Sequence, residues 1–484
     1  MRPLEVILFV VLALQALAIV FGRRKQLLPP LMVAGMGAWL AQWWVEGGRW
    51  QLWPAWALLG INTFALMLLF ANRQRSDLPR TRTYFRFMLF TSSWIAAVFL
   101  PWTIPVFQLP DPTGPYGVGA TWLEVEDSGR RLMLKLWYPA IITEHDRSEP
   151  YWPDAERMSR VMAGSWHMPS YIFSHLDKVK TNTYLGASPL EGPLPVIFFS
   201  HGYLQGYVNQ NQGLIEELAS HGYVVCSVTH PSECLGIQYL DGQFISYDEA
   251  LGNQFNDEVS AFREALMPLA ENPHFDPNSY ASLAPLIPTV LERSDIWVDD
   301  MMIAFNACEK IQTGEFEHAL TGRLDLTSVG AIGMSFGGAA AVEWSIVDDR
   351  VGAAVNLDGF HYGSTLSGAE ITTPYLLFSS EVARRWRNDF ALSHARNEAV
   401  WVLINQSQHF DFCDFAYFGR IYQWLGPLSP VGASQMHQIV DRSSRMFFDV
   451  HLRGESEAQF LAYLSDSDVC DVQVFSTDEQ NMVR

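Results

Sequence analysis

The stretch Val-Gly-Ala-Ile-Gly-Met-Ser-Phe-Gly-Gly at residues 329–338 decides how this 484-residue chain is read. Gly333, Ser335 and Gly337 form a G-x-S-x-G pattern, which sets a serine on a sharp turn between a strand and a helix. The turn strains the serine's own backbone, so small residues stand two before and two after it. The hydroxyl is left exposed where a histidine can reach it. Five loosely specified residues recur by chance, and the flanks supply the specificity here. Residues 328–332 form a short apolar run that reads as a buried strand, and the alanine-rich run at 338–345 reads as a helix. Ser335 is therefore the candidate nucleophile. The plainer alternative is a glycine-rich turn with a bystander serine.

Strand-like and helix-like segments alternate on both sides of this elbow. Residues 117–125 and 132–137 read as strands joined by a turn at 126–129, and 195–200 as a short buried strand ending in His201 and Gly202. A helix at 213–221 leads to a strand at 223–228, and a helix at 294–313 leads to the serine strand. Strands at 351–356, 374–379 and 399–405 follow, then a final helix at 435–452. This alternation builds an α/β fold with a doubly wound, mainly parallel sheet. Residues 140–190 are rich in loops and prolines. Residues 231–295 break the rhythm; polar, acidic and partly helical, they are expected to form a cap or insertion over the sheet.

A serine hydroxyl is a poor nucleophile near neutral pH. It needs a histidine base, and the histidine needs a carboxylate to fix its tautomer and stabilise its charge. In open sheets such partners stand just beyond the carboxyl ends of strands. Behind an elbow of this type they follow in the order serine, acid, histidine. His409 fits the base, as the first histidine after the strand at 399–405. His394 lies in a helical stretch before that strand, and His361 is near a strand end in the wrong place for the base. Two carboxylates compete for the acid. Asp358 follows the strand at 351–356 and Glu381 follows the strand at 374–379, so strand position alone does not choose. Asp411 and Asp414 are too near His409 in sequence and are expected to shape its loop. An oxyanion hole needs two backbone N–H groups. Phe336, next after the serine, supplies one, and Tyr203, in the turn after the strand at 195–200, supplies the other. His201 reads as structural. This chemistry needs no metal and no organic cofactor.

Composition divides the chain. Residues 1–109 hold ten Lys/Arg and three Asp/Glu; the whole chain carries −20, so residues 110–484 carry −27. So acidic a part repels phosphates, which argues against nucleic acid as a partner. Cys226, Cys234, Cys308, Cys413 and Cys470 show no C-x-x-C pair and no zinc spacing, and read as mostly buried thiols. Four uncharged stretches, 6–22, 26–45, 51–72 and 87–110, are long enough to span a bilayer, or nearly so. The first alone would pass for a signal peptide with a cleavage site near Ala18. Its apolar run continues to Phe21, however, and three more stretches follow. Residues 1–109 are thus expected to be an all-α transmembrane region of about four helices, and 110–484 the sheet domain. Basic residues gather at Arg23, Arg24 and Lys25 and again at Arg73, Arg75, Arg80, Arg82 and Arg86, and such loops stay in the cytoplasm. The amino terminus and everything from residue 110 on are therefore expected outside. Trp43, Trp44, Trp50, Trp53 and Trp56 cluster at the outer loop as an interfacial belt would. The stretches themselves hold no charge, which speaks against a transporter.

Several segments, in order, resemble one known family: 112–119 with 130–140, the Phe-Ser-His-Gly at 199–202, residues 217–225, the elbow at 333–338, the Gln-His-Phe-Asp-Phe at 408–412 and the last helix at 447–454. Over most of residues 110–455 the chain is similar to the α/β-hydrolases related to plasma (type II) platelet-activating-factor acetylhydrolase, a group that includes bacterial esterases. The membrane part has no counterpart. The resemblance implies the α/β-hydrolase fold. It also implies an acid just after the strand that follows the nucleophile helix, which selects Asp358 over Glu381. The family carries histidine before its serine where this chain has Met334, a change that bears on pocket shape. The insertion at 231–295 has no match.

The expected protein is accordingly a membrane-anchored serine hydrolase that cleaves carboxylic esters with Ser335, His409 and Asp358. Its expected partners are a small-molecule ester or lipid and the bilayer, with the catalytic domain on the non-cytoplasmic side. Anchor and family together suggest a short-chain or oxidised lipid acyl ester. A peptidase on the same scaffold is one rival, since such triads do not declare ester or amide. A catalytically inactive membrane-tethered binding protein is another, and a complete set of three residues argues against it.

Overall fold

The computed structural model describes residues 1–21, 25–71, 80–272, 276–466 and 470–475, in two compact units. The first holds Met1–Gln108, Pro150–Val179 and Phe418–Trp424; the second holds Leu109–Glu149, Lys180–Tyr417 and Leu425–Arg484.

The first unit is built on four helices, α1 (Pro3–Phe21), α2 (Leu28–Ala41), α3 (Trp53–Ala71) and α4 (Arg80–Thr103), with α1 packed on the other three. Three segments, Pro3–Phe21, Trp50–Ala71 and Thr83–Thr103, are long and apolar enough to cross a membrane by length and composition. The second expected stretch makes a shorter helix. Prolines at its first turn fix the start, and after Ala41 it widens into a π-helical turn, Gln42–Glu46. The fourth ends at Thr103, short of residue 110, with Pro101 in its last turn.

The first helix begins earlier than expected and takes in Glu5. That buried carboxylate meets Arg49, whose Nε and Nη2 each lie 2.8 Å from it. Arg49 also donates to the carbonyls of Ile104 at 2.6 Å and Pro101 at 3.3 Å. Arg2 reaches both Glu5 and Glu46. One charged clasp thus joins the head of α1 to the tails of α2 and α4. Arg23, Arg24, Arg73 and Arg75, which carry much of the expected orientation, lie outside the described residues. Aromatic contacts explain why the unit takes in segments from further along the chain. Phe107 meets Tyr151 at 5.3 Å and Phe418 at 5.6 Å between ring centroids, and Trp166, which caps α5 (Ala155–Ser165), meets Tyr422 at 6.1 Å.

The second unit opens with a hairpin, β1 (Gly117–Asp127) and β2 (Arg130–Ile141). Its turn holds Ser128 at φ 51° and Gly129 at φ 77°, the left-handed pair that two-residue hairpins favour. Three short strands follow, β3 (Ser148–Pro150), β4 (Lys180–Leu185) and β5 (Ser188–Pro189). Then come β6 (Leu194–Ser200), α6 (Gln212–Ser220) and β7 (Val224–Val228). A separate small hairpin, β8 (Ile237–Gln238) with β9 (Phe244–Ile245), precedes α7 (Glu249–Ala270) and α8 (Pro288–Thr313). The elbow lies between β10 (Leu324–Met334) and α9 (Phe336–Val347). After it come β11 (Val351–Leu357), β12 (Tyr375–Ser380), β13 (Ala399–Ile404), the helix Ala433–Arg453 and β14 (Cys470–Phe475).

All but β8 and β9 join one sheet in the order β14-β13-β12-β11-β10-β6-β7-β2-β1-β4-β3, with β5 on β2. From β13 to β7 every pairing is parallel. Successive residues of β10 face opposite sides. Val329 and Ala331 share a core with Phe198, Phe305 of α8 and Trp344 of α9. Gly330 faces Phe448 of the helix Ala433–Arg453, where an added Cβ would stand 2.5 Å from the ring. Both faces are therefore covered, as a parallel sheet requires. The edge strand β14, antiparallel to β13, and the strand β4 were not anticipated.

From β6 the chain runs outward to β7, then returns to β10 on the other flank of β6. The strand order reverses there, and sheets of this class bind ligands in the crevice that such a reversal opens at the strands' carboxyl ends. Ser200 ends β6, and Ser335 follows β10. The expected insertion supplies α7, whose Phe255, Val259 and Phe262 pack with Phe336 and Phe390 beside the elbow.

Candidate active site

Ser335 sits at φ 57°, ψ −124°, outside the regions an L-residue prefers, between the last residue of β10 and the first of α9. Its neighbours explain how the strain is held. A Cβ on Gly333 would overlap the carbonyl of Gly337, and one on Gly337 would overlap the carbonyls of Ser200 and His201. The two glycines of the pattern are thus demanded by backbone contacts. The serine N–H donates to Leu357 O at 2.8 Å, tying the turn to the end of β11.

Ser335 Oγ lies 3.0 Å from His409 Nε2, and His409 Nδ1 lies 2.7 Å from Asp358 Oδ2. Asp358 accepts from Ser380 twice, from the backbone N–H at 2.6 Å and from the hydroxyl at 2.9 Å. It too has a left-handed backbone, φ 56°. Asn356 pins that turn by accepting from Gly359 N–H at 2.7 Å and donating to Gly359 O at 2.9 Å. The competing acid stands elsewhere: Glu381 accepts the Gln406 N–H at 2.6 Å. Asp411 accepts the Gln408 N–H at 2.7 Å and so shapes the histidine's loop. His361 is buried against the Tyr375 hydroxyl at 2.6 Å, and neither His361 nor His394 joins the set.

Gly202 N–H donates to Gln210 Oε1 at 2.7 Å, which fixes the turn that carries Tyr203. Among the described residues, neither the Tyr203 N–H nor the Phe336 N–H donates to a protein acceptor. Both residues line a cavity of about 440 Å³ together with Ser335, His409, Phe360 and Trp386. His201 has both ring nitrogens engaged with backbone. Nδ1 meets Gly202 O at 2.9 Å, and Nε2 accepts the His230 N–H at 3.2 Å. Burial, with His230 alongside, pushes its pKa down to about 3, so the ring stays neutral.

A second chain of the same composition lies beneath. Ser200 Oγ is 2.9 Å from His230 Nε2, and His230 Nδ1 is 2.9 Å from Asp300 Oδ2. All three are fully buried, Ser200 is an ordinary strand residue, and Trp297 stacks on the imidazole at 3.7 Å. Serine, histidine and aspartate in hydrogen-bonding order therefore do not by themselves make a nucleophile. The strained backbone, the cavity and the half-open His409 distinguish the upper chain. Sequence reasoning missed this lower network, as it missed Ser380, Asn356 and Gln210, because none of them forms a local motif.

Asp414 braces the site from behind by accepting the Gln212 N–H at 2.7 Å. His437 bridges it to Asp441, with Nε2 3.5 Å from Asp414 and Nδ1 2.5 Å from Asp441. Burial pushes Asp414 up to about 7 against the pull of His437. For His437, burial acts downward, but the two carboxylates outweigh it and raise its pKa. Groups whose pKa is raised on folding add stability in acid and lose it as pH rises through the folded value. The contribution of Asp414 fades as pH climbs toward about 7, and that of His437 fades above its ordinary range. Between about pH 4 and 7 the melting midpoint of Asp414→Asn should therefore gain on that of the wild type by on the order of 2 °C. Parallel curves would refute the assignment.

The strand order, the crossover at β6 and β10 and the strand–turn–helix at Ser335 define an α/β-hydrolase. A ferulic acid esterase from Streptomyces cinnamoneus superposes with a TM-score of 0.56 at 22% identity, over 74% of this chain and 96% of its own. The family described as platelet-activating factor acetylhydrolase, isoform II, matches residues 103–249, which hold the turn from His201 to Tyr203 but not the elbow. Platelet-activating factor acetylhydrolase of Canis lupus familiaris is 22% identical, over 75% of this chain and 82% of its own. A probable 1-alkyl-2-acetylglycerophosphocholine esterase of Arthroderma benhamiae is 22% identical, over 72% and 90%. The chain thus has the α/β-hydrolase fold and resembles platelet-activating factor acetylhydrolase.

Proposed function

We propose that this protein is a membrane-anchored serine hydrolase that cleaves carboxylic esters, with short or oxidised acyl esters of lipids as its natural substrates. Ser335 attacks the ester carbonyl while His409 takes its proton and then returns it to the leaving alcohol. Asp358 orients His409 and stabilises its charge. The N–H groups of Tyr203 and Phe336 hold the oxyanion. Water then clears the acyl-enzyme by the same route. The observation that carries the reading is the hydrogen-bonded line from Ser335 Oγ through His409 to Asp358, beside two N–H groups without a protein acceptor. The names of the relatives, acetylhydrolase and esterase, support ester over amide. The three long apolar helices support the anchor, and the clasp that brings the ends of α1 and α4 together supports an even number of crossings.

A membrane-impermeant fluorophosphonate probe tests both halves. Applied to sealed, right-side-out vesicles, it should label the wild type and leave Ser335→Ala blank. Equal labelling of the two would remove Ser335 from the mechanism. Labelling only after permeabilisation would place the catalytic unit on the cytoplasmic side.

A further inference from the structure

The cavity over Ser335 is lined by two arginines, Arg263 from α7 and Arg385 from the turn after β12. Both rest on one indole: the guanidinium carbons lie 5.0 Å and 4.8 Å from the centroid of Trp386. Most other arginines of this acidic unit are taken up by carboxylates, as in Arg130 with Asp300, Arg350 with Asp348 and Arg387 with Asp389. Among the described residues, Arg263 and Arg385 form no ion pair, and Arg263 has a hydrogen bond to the Tyr362 hydroxyl, which lines the same cavity. Asp358 is the single carboxylate among the residues lining the cavity. It is buried and already held by His409 and Ser380.

We infer that Arg263, Arg385 and Trp386 form an anion subsite, so that the preferred ester carries a carboxylate or phosphate within reach of the acyl-transfer centre. This rests on the reading of Ser335 as nucleophile. Two like charges gathered at one ring repel each other, and an anion between them relieves that cost. The indole face orients a guanidinium and leaves its N–H edges available. Those edges match the oxygens of a carboxylate or phosphate two at a time. The setting adds selectivity. Residues 110–484 carry −27, so a positive patch confined to this cavity draws an anion to one place on a surface that otherwise repels it. The sequence hides the subsite, because its residues lie on two elements more than a hundred positions apart.

The test uses the full chain in detergent micelles and three esters. One is neutral p-nitrophenyl butyrate. The second, mono-p-nitrophenyl glutarate, bears a carboxylate on the acyl side. The third, an acetyl ester of glycerol 3-phosphate, bears a phosphate on the alcohol side. The readout is the ratio of kcat/KM for each anionic ester to that for the neutral one. In Arg263→Gln and in Arg385→Gln that ratio should fall about tenfold for at least one anionic ester. It should also fall in the wild type at about 0.5 M salt, where screening is strong. The ester that suffers identifies the side of the substrate that bears the charge. Arg385→Lys should keep part of the preference. Arg384→Gln, an exposed neighbour that does not line the cavity, should keep all of it. Stabilisation by glycerol 3-phosphate or glutarate in a melting assay reads the same subsite without turnover, and should vanish in Arg263→Gln and Arg385→Gln. Ratios and melting shifts that ignore both substitutions would overturn the subsite. Absence of turnover and of fluorophosphonate labelling in the wild type, with the melting shifts intact, would instead overturn the hydrolase reading alone.

Discussion

Asp358→Asn is expected to lower kcat for ester cleavage by about 10⁴-fold, while Glu381→Gln leaves it unchanged. Asp358 Oδ2 stands 2.7 Å from His409 Nδ1, where it accepts a hydrogen bond from that N–H and, on the proposed mechanism, leaves Nε2 free to take the proton of Ser335. Asparagine has the same shape but can turn an NH₂ toward the ring, which favours the wrong tautomer and offers no charge to the imidazolium. Ser380 favours that wrong choice less than it favours the carboxylate, since both its donors point at Asp358. Glu381 makes no hydrogen bond to the histidine and does not itself line the cavity, and glutamine can still accept the Gln406 N–H through its carbonyl. Turnover of p-nitrophenyl butyrate by the two variants decides the matter, and the reverse outcome would hand the role to Glu381.

Gly337→Ala should cost the catalytic unit about 3 kcal/mol or more and remove most of the fluorophosphonate-reactive protein. The added methyl would overlap two backbone carbonyls, those of Ser200 and His201, at the end of β6. Backbone at the end of a central strand cannot swing aside as a lysine or methionine tip can. Relief would have to come from shifting the turn that carries Tyr203, whose N–H is a proposed oxyanion donor. Gly164→Ala, in the last turn of α5, makes a useful contrast. Nothing stands within 4 Å of its Cβ, so the same change there should gain up to about 1 kcal/mol of helix stability. Thermal melting of the three proteins measures both effects, and a Gly337→Ala protein that melts with the wild type would show that the elbow tolerates a side chain.

The parts of this site legible in sequence are those encoded within a few residues of one another. The elbow is one, since strand, glycines, serine and helix are contiguous, and the turn at His201 and Gly202 is another. The acid was ambiguous because Asp358 and Glu381 each follow a strand. What separates them is Ser380 and Asn356, one of which comes from a different strand and neither of which has a pattern of its own. The lower Ser200–His230–Asp300 chain was invisible for the same reason, and it would have been a trap had it been seen, since only burial and an ordinary backbone mark it as inert. The strands β4 and β14 escaped because neither has the apolar run that betrays a central strand; β4 is a polar six-residue strand next to the edge, and β14, at the other edge, has no fully buried position. The membrane stretches were visible as composition, but their ends were not. Glu5 looked like a boundary because it is charged, yet it lies inside α1 once Arg49 meets it.

That clasp has a consequence for how the chain is made. Arg49 emerges early, but two of its acceptors are carbonyls at the end of the bundle, Pro101 in the last turn of α4 and Ile104 just beyond it. Until that helix is synthesised, the guanidinium has Glu5 as its carboxylate acceptor but lacks the bonds that fix the final helix to the connection between α2 and α3. The helical unit can therefore complete its clasp only once its last helix has been made, just before the sheet unit follows in the chain.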